Sequence, residues 1–349
     1  MACGADILFA ELMLEKNHEL NVVLPFNIEE FIDICVNYAG DSWVIRFEHI
    51  LKEAATVTIL TDEFWLNDDT LFEQTNTFMQ GTTILRARQL ENTPLLLALL
   101  DSETIAKIGG TQSCIDQWKL LKHPFEIINL GDIRSTTPSK MSSANKINNE
   151  KLIGTTSRFK KHNTIQADLN YTRTMKTQIF IGLVGAERSL QKRNPDILFH
   201  FLTMLMQFIA DEKYQPVHKD SLGNGLNIIF NDANEAANFA LNIRNKYYKY
   251  NWAEYGIQDT MEIKIAIHSC PVLVRTDPLS NMKNFYGSQV LFASHMEKST
   301  APGSICISEQ TAVLLVQYTQ FYCDFIGESS LHQINQKIRL YRLHKIENT

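Results

Sequence analysis

The sequence predicts an α/β half followed by an α+β half, and three observations carry that reading. Over the first 133 residues, helical periodicity alternates with short apolar runs of strand length. From about 134 to 172 the composition turns polar (RSTTPSKMSSANKINNEK, then RFKKHNTIQ), with little periodicity that would order it. Beyond this tract, strands and helices mix around a Gly-Asn-Gly turn at 223–225, a hairpin signal. The 349 residues suit about two domains of roughly 150 residues each. The expected organisation is 1–133, a linker at 134–172 whose basic residues read as solvated surface, and 173–349.

In order, apolar positions at Ile7, Leu8, Leu12 and Leu14 mark a helix over 4–17, and LNVVLP at 20–25 is a strand stopped by proline. FIDICVNYAG and WVIRFEHILKEAA read as helices and TVTIL at 56–60 as a strand. A long helical stretch through 71–90 leads to the apolar LLLALL at 95–100. GGTQSCIDQWKLL opens another helix, and FEIINL at 125–130 is a further strand. Such alternation predicts a parallel sheet covered on both faces. The run starts at a helix, so a first strand is missing from the pattern, supplied by another strand or by upstream sequence.

The second half reads as strand 177–185 (TQIFIGLVG), helix 194–211, strands 215–221 and 226–230 as a hairpin, helix 232–248, and strand 261–268 (MEIKIAIH). After a loop come helix 286–298, a short strand near 304–307, helix 308–316 and a terminal strand pair.

Thirty-three Lys and Arg against 39 Asp and Glu give a net charge of −6, so no chain-wide basic field exists to neutralise a phosphate backbone, and nucleic acid is not an expected partner. Six cysteines occur without a CxxC or a Cys/His cluster at zinc spacing, which predicts reduced thiols. The start, MACGADILFAELMLEK, has no basic region before its apolar stretch, and no uncharged apolar run nears the ~20 residues that span a bilayer. A cytoplasmic protein with no membrane contact is expected.

From Gln178 to Leu343 the landmarks IFIGLVG (179–185), SLGNGLNIIF (221–230), IKIAIHS (263–269), FYGSQVLFASHME (285–297) and APGSICIS (301–308) resemble the class III nucleotidyl cyclase catalytic domain, of adenylate/guanylate cyclase type. In that family two Asp carboxylates hold two divalent metals on the triphosphate, because attack of the 3′-hydroxyl on the α-phosphate needs ions to activate the nucleophile and neutralise charge. The resemblance places those positions at Gly182 and Asn224: glycine supplies no ligand and Asn only a weak neutral one. The Asn and Arg that reach the ribose and the transition-state phosphate from a head-to-tail partner fall on Leu291 and His295, and a mostly neutral His is a poor substitute for a guanidinium. The base-reading pair falls on Asp220 and Asn284, and the phosphate-wrapping turn on Ala186-Glu187, where an acid opposes a triphosphate. Lacking both sets, the chain completes a family-type site as neither half.

The first half is similar, less specifically, to Rossmann-like nucleotide-binding domains related to lysine-decarboxylase-like and nucleotide-sensing proteins, on GADILFAE (4–11), NVVLPF (21–26) and GGTQSCIDQW (109–118). A Gly-Gly-Thr at a helix start offers amides and a hydroxyl to a phosphate, so Gly109, Gly110 and Thr111 are the ligand candidates. The alternative is a plain glycine loop with Thr111 as the helix cap. The resemblance puts the Glu of nucleotide-hydrolysing relatives at Cys114, which argues against a hydrolase. Cys114 itself reads as an ordinary helix residue, with a thiol made reactive by the helix start as the alternative, and His268 as a satisfied structural histidine.

The expectation is a non-catalytic, pseudo-cyclase regulatory protein of intracellular cyclic nucleotide signalling. It binds a nucleotide or nucleotide-derived molecule, forms a homodimer through its second half and passes a signal to a protein partner. The competing expectations are a divergent nucleotidyl cyclase, a phosphorus-oxygen lyase using Mg or Mn with Asp220 and Glu187 recruited as ligands, and a ligand-free assembly scaffold.

Overall fold

The computed structural model describes residues 3–63, 69–101, 108–136, 173–184, 196–212, 214–222, 225–255, 262–330 and 337–346. Most of the expected linker lies outside them. The first half runs α1 (Ala5–Glu15), β1 (Asn21–Leu24), α2 (Ile28–Cys35), α3 (Asp41–Glu53), β2 (Thr56–Ile59), α4 (Thr70–Gln89), β3 (Leu96–Leu100), α5 (Thr111–Leu120), β4 (Phe125–Asn129) and α6 (Leu130–Thr136). Asn27 shows why α2 starts where it does, its side-chain oxygen accepting the Glu30 N–H at 2.9 Å.

The strand pairing in this half is parallel, as the alternation implies, but the described residues form two separate strand pairs. Among the described residues, β1 pairs only with β2 and β3 only with β4. The division follows the packing. The first pair closes a core of its own with Leu24, Phe26, Phe31, Phe47 and Ile50. The second pair leaves Leu97, Phe125, Ile127 and Ile128 partly exposed.

The second half runs β5 (Arg173–Val184), α7 (Asp196–Asp211), β6 (His218–Leu222), β7 (Gly225–Phe230), α8 (Ala233–Lys249), β8 (Glu262–Thr276), β9 (Lys283–Tyr286), α9 (Phe292–Ser299), β10 (Ile305–Ser308), α10 (Glu309–Leu315), β11 (Phe321–Ser330) and β12 (Lys337–Lys345). They form one sheet, β11-β12-β10-β8-β5-β7-β6, with β9 added to β8. Alternate β5 residues face opposite sides. Ile179, Ile181 and Leu183 enter the core with α7, α8 and α10, while Gly182 faces α9. Around α9, Phe292 and Met296 pack on Ala266, Cys306, Ile338 and Leu340.

Strand β8 extends well past the expected end at 268, through Pro271 to Thr276, and makes a hairpin with β9 where a loop was expected. Proline normally argues against a strand interior because it has no N–H to donate. Here β10 pairs with β8 only over Ile265–Ile267, so Pro271 lies where that side of β8 is already free of β10.

The halves meet along α4. Leu60, Phe78, Ile84 and Leu85 are part of the same buried cluster as β5, α8 and α10. At Gly81 the helices approach so closely that a Cβ would lie 2.8 Å from the Val313 Cα and carbonyl oxygen. Arg88 Nη2 donates to the Val316 carbonyl at 2.8 Å. All six cysteines are free thiols. Among the described residues, no helix is long and apolar enough to cross a membrane.

Candidate functional site

Asn224 lies outside the described residues, as do Ala186 and Glu187; the other positions singled out by sequence can be placed. Gly182 is buried in β5, opposite Gly225 on β7 and Lys264 on β8. A Cβ added there would collide with the Glu297 Oε1 of α9. Burial pushes the Glu297 carboxyl above its ordinary range, and the ammonium groups of Lys264 and Lys298 oppose that shift. A carboxylate from a helix thus stands where a side chain from the strand would.

Leu291 is the residue before α9, 52% exposed and with no side-chain capping bond. His295 lies one turn on, half-buried, its N–H bonded to the Leu291 carbonyl. Asp220 is exposed on β6 opposite Asn227, whose Oδ1 accepts from Gln178 Nε2 at 2.7 Å. Asn284 sits in β9 opposite Arg275, its Oδ1 taken by the Phe285 N–H at 2.8 Å. Lys264 and Arg275, the β8 partners of Gly182 and Asn284, stand near opposite ends of that 15-residue strand. At about 3.3 Å per residue, up to roughly 35 Å of strand separates them. Of the two positions read as base-contacting, Asn284 thus lies far along the sheet from Gly182, whereas Asp220 lies two strands over from β5.

What fixes α9 is a buried polar chain that the sequence did not point to. Glu63 Oε1 accepts the Ser288 N–H at 2.6 Å, and Glu63 Oε2 lies 3.5 Å from Arg173 Nε. Gln289 Nε2 donates to the Leu60 carbonyl at 2.6 Å, and its Oε1 lies 3.3 Å from His268 Nε2. Because that oxygen only accepts, His268 carries its proton on Nε2, and Nδ1 accepts from Ser308 Oγ at 2.9 Å. Full burial lowers the His268 pKa to about 4, against a smaller opposing effect of the Gln289 bond. His268 is thus a satisfied neutral histidine, as its place at the end of an apolar run suggested. Its ring lies 5.0 Å from that of Phe292, so the N-terminal half, β8 and α9 are tied through one set of contacts. Glu63, Gln289 and Glu297 are polar residues in weakly periodic stretches, and only their three-dimensional neighbours reveal them.

In the first half, Gly110 is the N-cap of α5 and Thr111 its exposed first residue, so Thr111 is not the cap. Gly109 has φ +72°, and a Cβ there would meet Phe72 Cβ at 2.7 Å and the Glu73 N at 2.9 Å. Its carbonyl accepts from Asn76 Nδ2 at 2.9 Å. Packing against α4 alone therefore demands a glycine at this position. Cys114 is buried and its pKa is raised, chiefly by burial, which removes the reading of a thiol activated by the helix start. Gln80 Nε2 donates to the Cys114 carbonyl at 2.7 Å. Among the described residues, no group of three His, Cys, Asp or Glu side chains is placed to hold a metal ion.

Residues 222–345 match the family model described as the adenylate and guanylate cyclase catalytic domain. Among solved structures the chain is similar to the adenylyl cyclase CyaB from P. aeruginosa, at 19% identity over 51% of this chain and 98% of that one, with a TM-score of 0.46. It is also similar to the guanylate cyclase domain of RhGC from Catenaria anguillulae in complex with GTP, at 18% identity over 50% and 98% of the two chains, with a TM-score of 0.43. No curated protein matches. Over residues 222–345, then, the chain is similar to the adenylate and guanylate cyclase catalytic domain.

Proposed function

We propose that this cyclase-related protein of nucleotide signalling is catalytically silent: a regulatory protein that dimerises through its second half and senses a nucleotide-derived ligand. The observation that carries the reading is the pairing of Gly182 with Glu297. Two divalent ions on a triphosphate need converging carboxylates. At this place the described residues offer one, which burial holds toward its neutral form and which has Lys264 nearby. That donor set does not fit a pair of Mg or Mn ions. Leu291 and His295 on α9 supply neither the amide nor the guanidinium of the family pattern. The separation of Gly182 from Asn284 accords with a head-to-tail homodimer, in which the two sets come from different copies. Gly109, Gly110 and Thr111 belong to the proposal as a loop for a ligand phosphate, and the 1–133, 134–172 and 173–349 organisation as its domain plan.

The test is incubation of the purified full chain with Mn²⁺ and ATP or GTP, with products separated chromatographically. Neither cyclic AMP nor cyclic GMP is expected. One observation favours the second reading, a divergent cyclase: the Glu297 carboxylate occupies the right region, although it comes from another element. Turnover in the wild-type chain that is lost in Glu297→Gln would establish that enzyme and overturn the silent reading.

A further inference from the structure

Two of the six thiols, Cys3 and Cys35, meet at the surface of the first half, both half-buried and both free. The Cys3 N–H donates to the Cys35 carbonyl at 3.2 Å. Bond lengths alone then hold the two Cα atoms within about 7 Å, and the same bond in an antiparallel sheet sets them about 5.5 Å apart. A disulfide needs roughly 4.4–6.8 Å. The side chains converge as well. Cys3 Sγ donates to Tyr38 Oη at 2.7 Å, and both cysteines rest on the core that holds Leu24, Phe31 and Phe47. Burial pushes the Cys35 thiol up to about 12, and charge on Cys3 adds to the shift. Burial likewise raises the Tyr38 hydroxyl, with further contributions from its bond to Cys3 and from charge on Cys3 and Cys35. Tyr38 is 66% exposed, so a small oxidant reaches the group, whereas Cys114, Cys270 and Cys306 are buried.

We infer that Cys3 and Cys35 are an oxidative modification site, closing to a reversible intramolecular disulfide when the protein meets hydrogen peroxide. In the first step the Cys3 sulfur attacks a peroxide oxygen, the O–O bond breaks, one water leaves and the thiol becomes a sulfenic acid. In the second the Cys35 sulfur attacks the Cys3 sulfur, and the S–O bond breaks as the S–S bond forms. The departing hydroxide takes the Cys35 proton and leaves as a second water. Two thiols have then given up two electrons, and hydrogen peroxide has become two waters. Cys35 takes the second step because little of it is thiolate at neutral pH, and thiolate is the form that attacks peroxide. Its nearness to Cys3 offsets that handicap once the step is intramolecular. The bond joins the residue before the N-cap of α1 to the last residue of α2. It therefore pins α1, which brings Ile7 and Ala10 to the core, across β1 to α2. Exchange with a small-molecule thiol reopens it.

This inference is independent of whether the cyclase-like site is silent, and its test uses neither metal nor nucleotide. The full chain is reduced, exposed to hydrogen peroxide, blocked with iodoacetamide and digested with trypsin in the absence of reductant. Cys3 is the one cysteine of the tryptic peptide 1–16, and Cys35 the one cysteine of 17–46. The expected product is these two peptides joined, lighter than their sum by two hydrogens and separated again by dithiothreitol, with no covalent dimer on a denaturing gel. Closing the loop constrains the unfolded chain, so the oxidised protein is expected to melt several degrees above the reduced one. Cys3→Ser is expected to lose both the joined peptides and the peroxide-dependent rise in midpoint. Cys35→Ala serves in its place if Cys3→Ser does not fold. Peptides that stay separate at peroxide concentrations that oxidise free cysteine, conversion of Cys3 only to the sulfinic acid, or a bond joining two copies through Cys3 would each overturn the inference.

Discussion

The carboxylate of Glu297, on α9, lies in the space that a side chain at Gly182, on β5, would fill. Sterics and charge at this contact separate experimentally. Glu297 is the flexible end of a side chain and swings aside, so Gly182→Ala is expected to cost about 1 kcal/mol or less. Gly182→Asp puts a second carboxylate beside the first and is expected to cost about 2 kcal/mol more at pH 8 than at pH 5, where one of the pair holds a proton. Urea denaturation across pH reads the difference, and Glu297→Gln in the same chain should abolish most of it. A pH-independent cost of Gly182→Asp would show that the two side chains do not face each other. Gly182→Asp alone is accordingly not expected to create a metal site.

His268 gives the fold a defined acid sensitivity. Its folded pKa is lowered to about 4 while the unfolded side chain titrates near 6.5, so between these values the unfolded chain binds the extra proton. The stability contribution is complete above pH 6.5 and is lost as pH falls toward 4, an effect on the order of 3 kcal/mol. His268→Gln is expected to be less stable than wild type at pH 7, having lost the fitted bonds to Ser308 and Gln289, yet to lose less stability between pH 6.5 and 4.5. Parallel pH profiles for the two proteins would mean that His268 is not buried as a neutral ring.

Gly81 decides how the halves dock. A Cβ there meets the backbone of Val313, which cannot swing aside as a side-chain tip does. Gly81→Ala is expected to push α4 off α10 and cost about 2–3 kcal/mol, against the gain of up to about 1 kcal/mol that Ala brings to a helix interior. The readout is calorimetry: one cooperative transition in the wild type, two in the variant. A single transition with an unchanged or higher midpoint would mean that the helices do not approach this closely.

Much of the architecture was legible in the sequence because its signals are local. Apolar runs such as LNIIF and IKIAIH and the Gly-Asn-Gly hairpin signal act over a few residues. The length of β8 was hidden because Pro271 reads as a strand end unless the pairing of β10 is known. The division of the first half into two strand pairs was hidden because periodicity says that β2 and β3 are strands but not which neighbours they take. At the site, the residue types at Gly182, Leu291 and His295, on which the proposed silent reading rests, are single letters of the sequence. The arrival of Glu297 over Gly182 and the reach of Gln289 to Leu60 could not be read there, since each joins residues far apart in the chain whose side chains carry no periodic signal.

The Gly-Gly-Thr loop separates a ligand contact from a packing role because its residues divide the two. Gly109→Ala strains a backbone with φ +72° and drives a Cβ into Phe72 and Glu73, so its loss of stability, about 2 kcal/mol, says nothing about ligands. Thr111 is exposed and does not cap α5, so Thr111→Val is expected to change stability by less than about 0.5 kcal/mol. If the loop holds a ligand phosphate, Thr111→Val removes a hydroxyl donor and weakens binding of a nucleoside monophosphate about fivefold to tenfold, an effect of about 1–1.5 kcal/mol. Titration of the full chain with adenosine and guanosine monophosphates, followed by calorimetry, reads this directly. Binding that survives Thr111→Val unchanged would remove the loop from the ligand site and leave it a glycine turn shaped by α4.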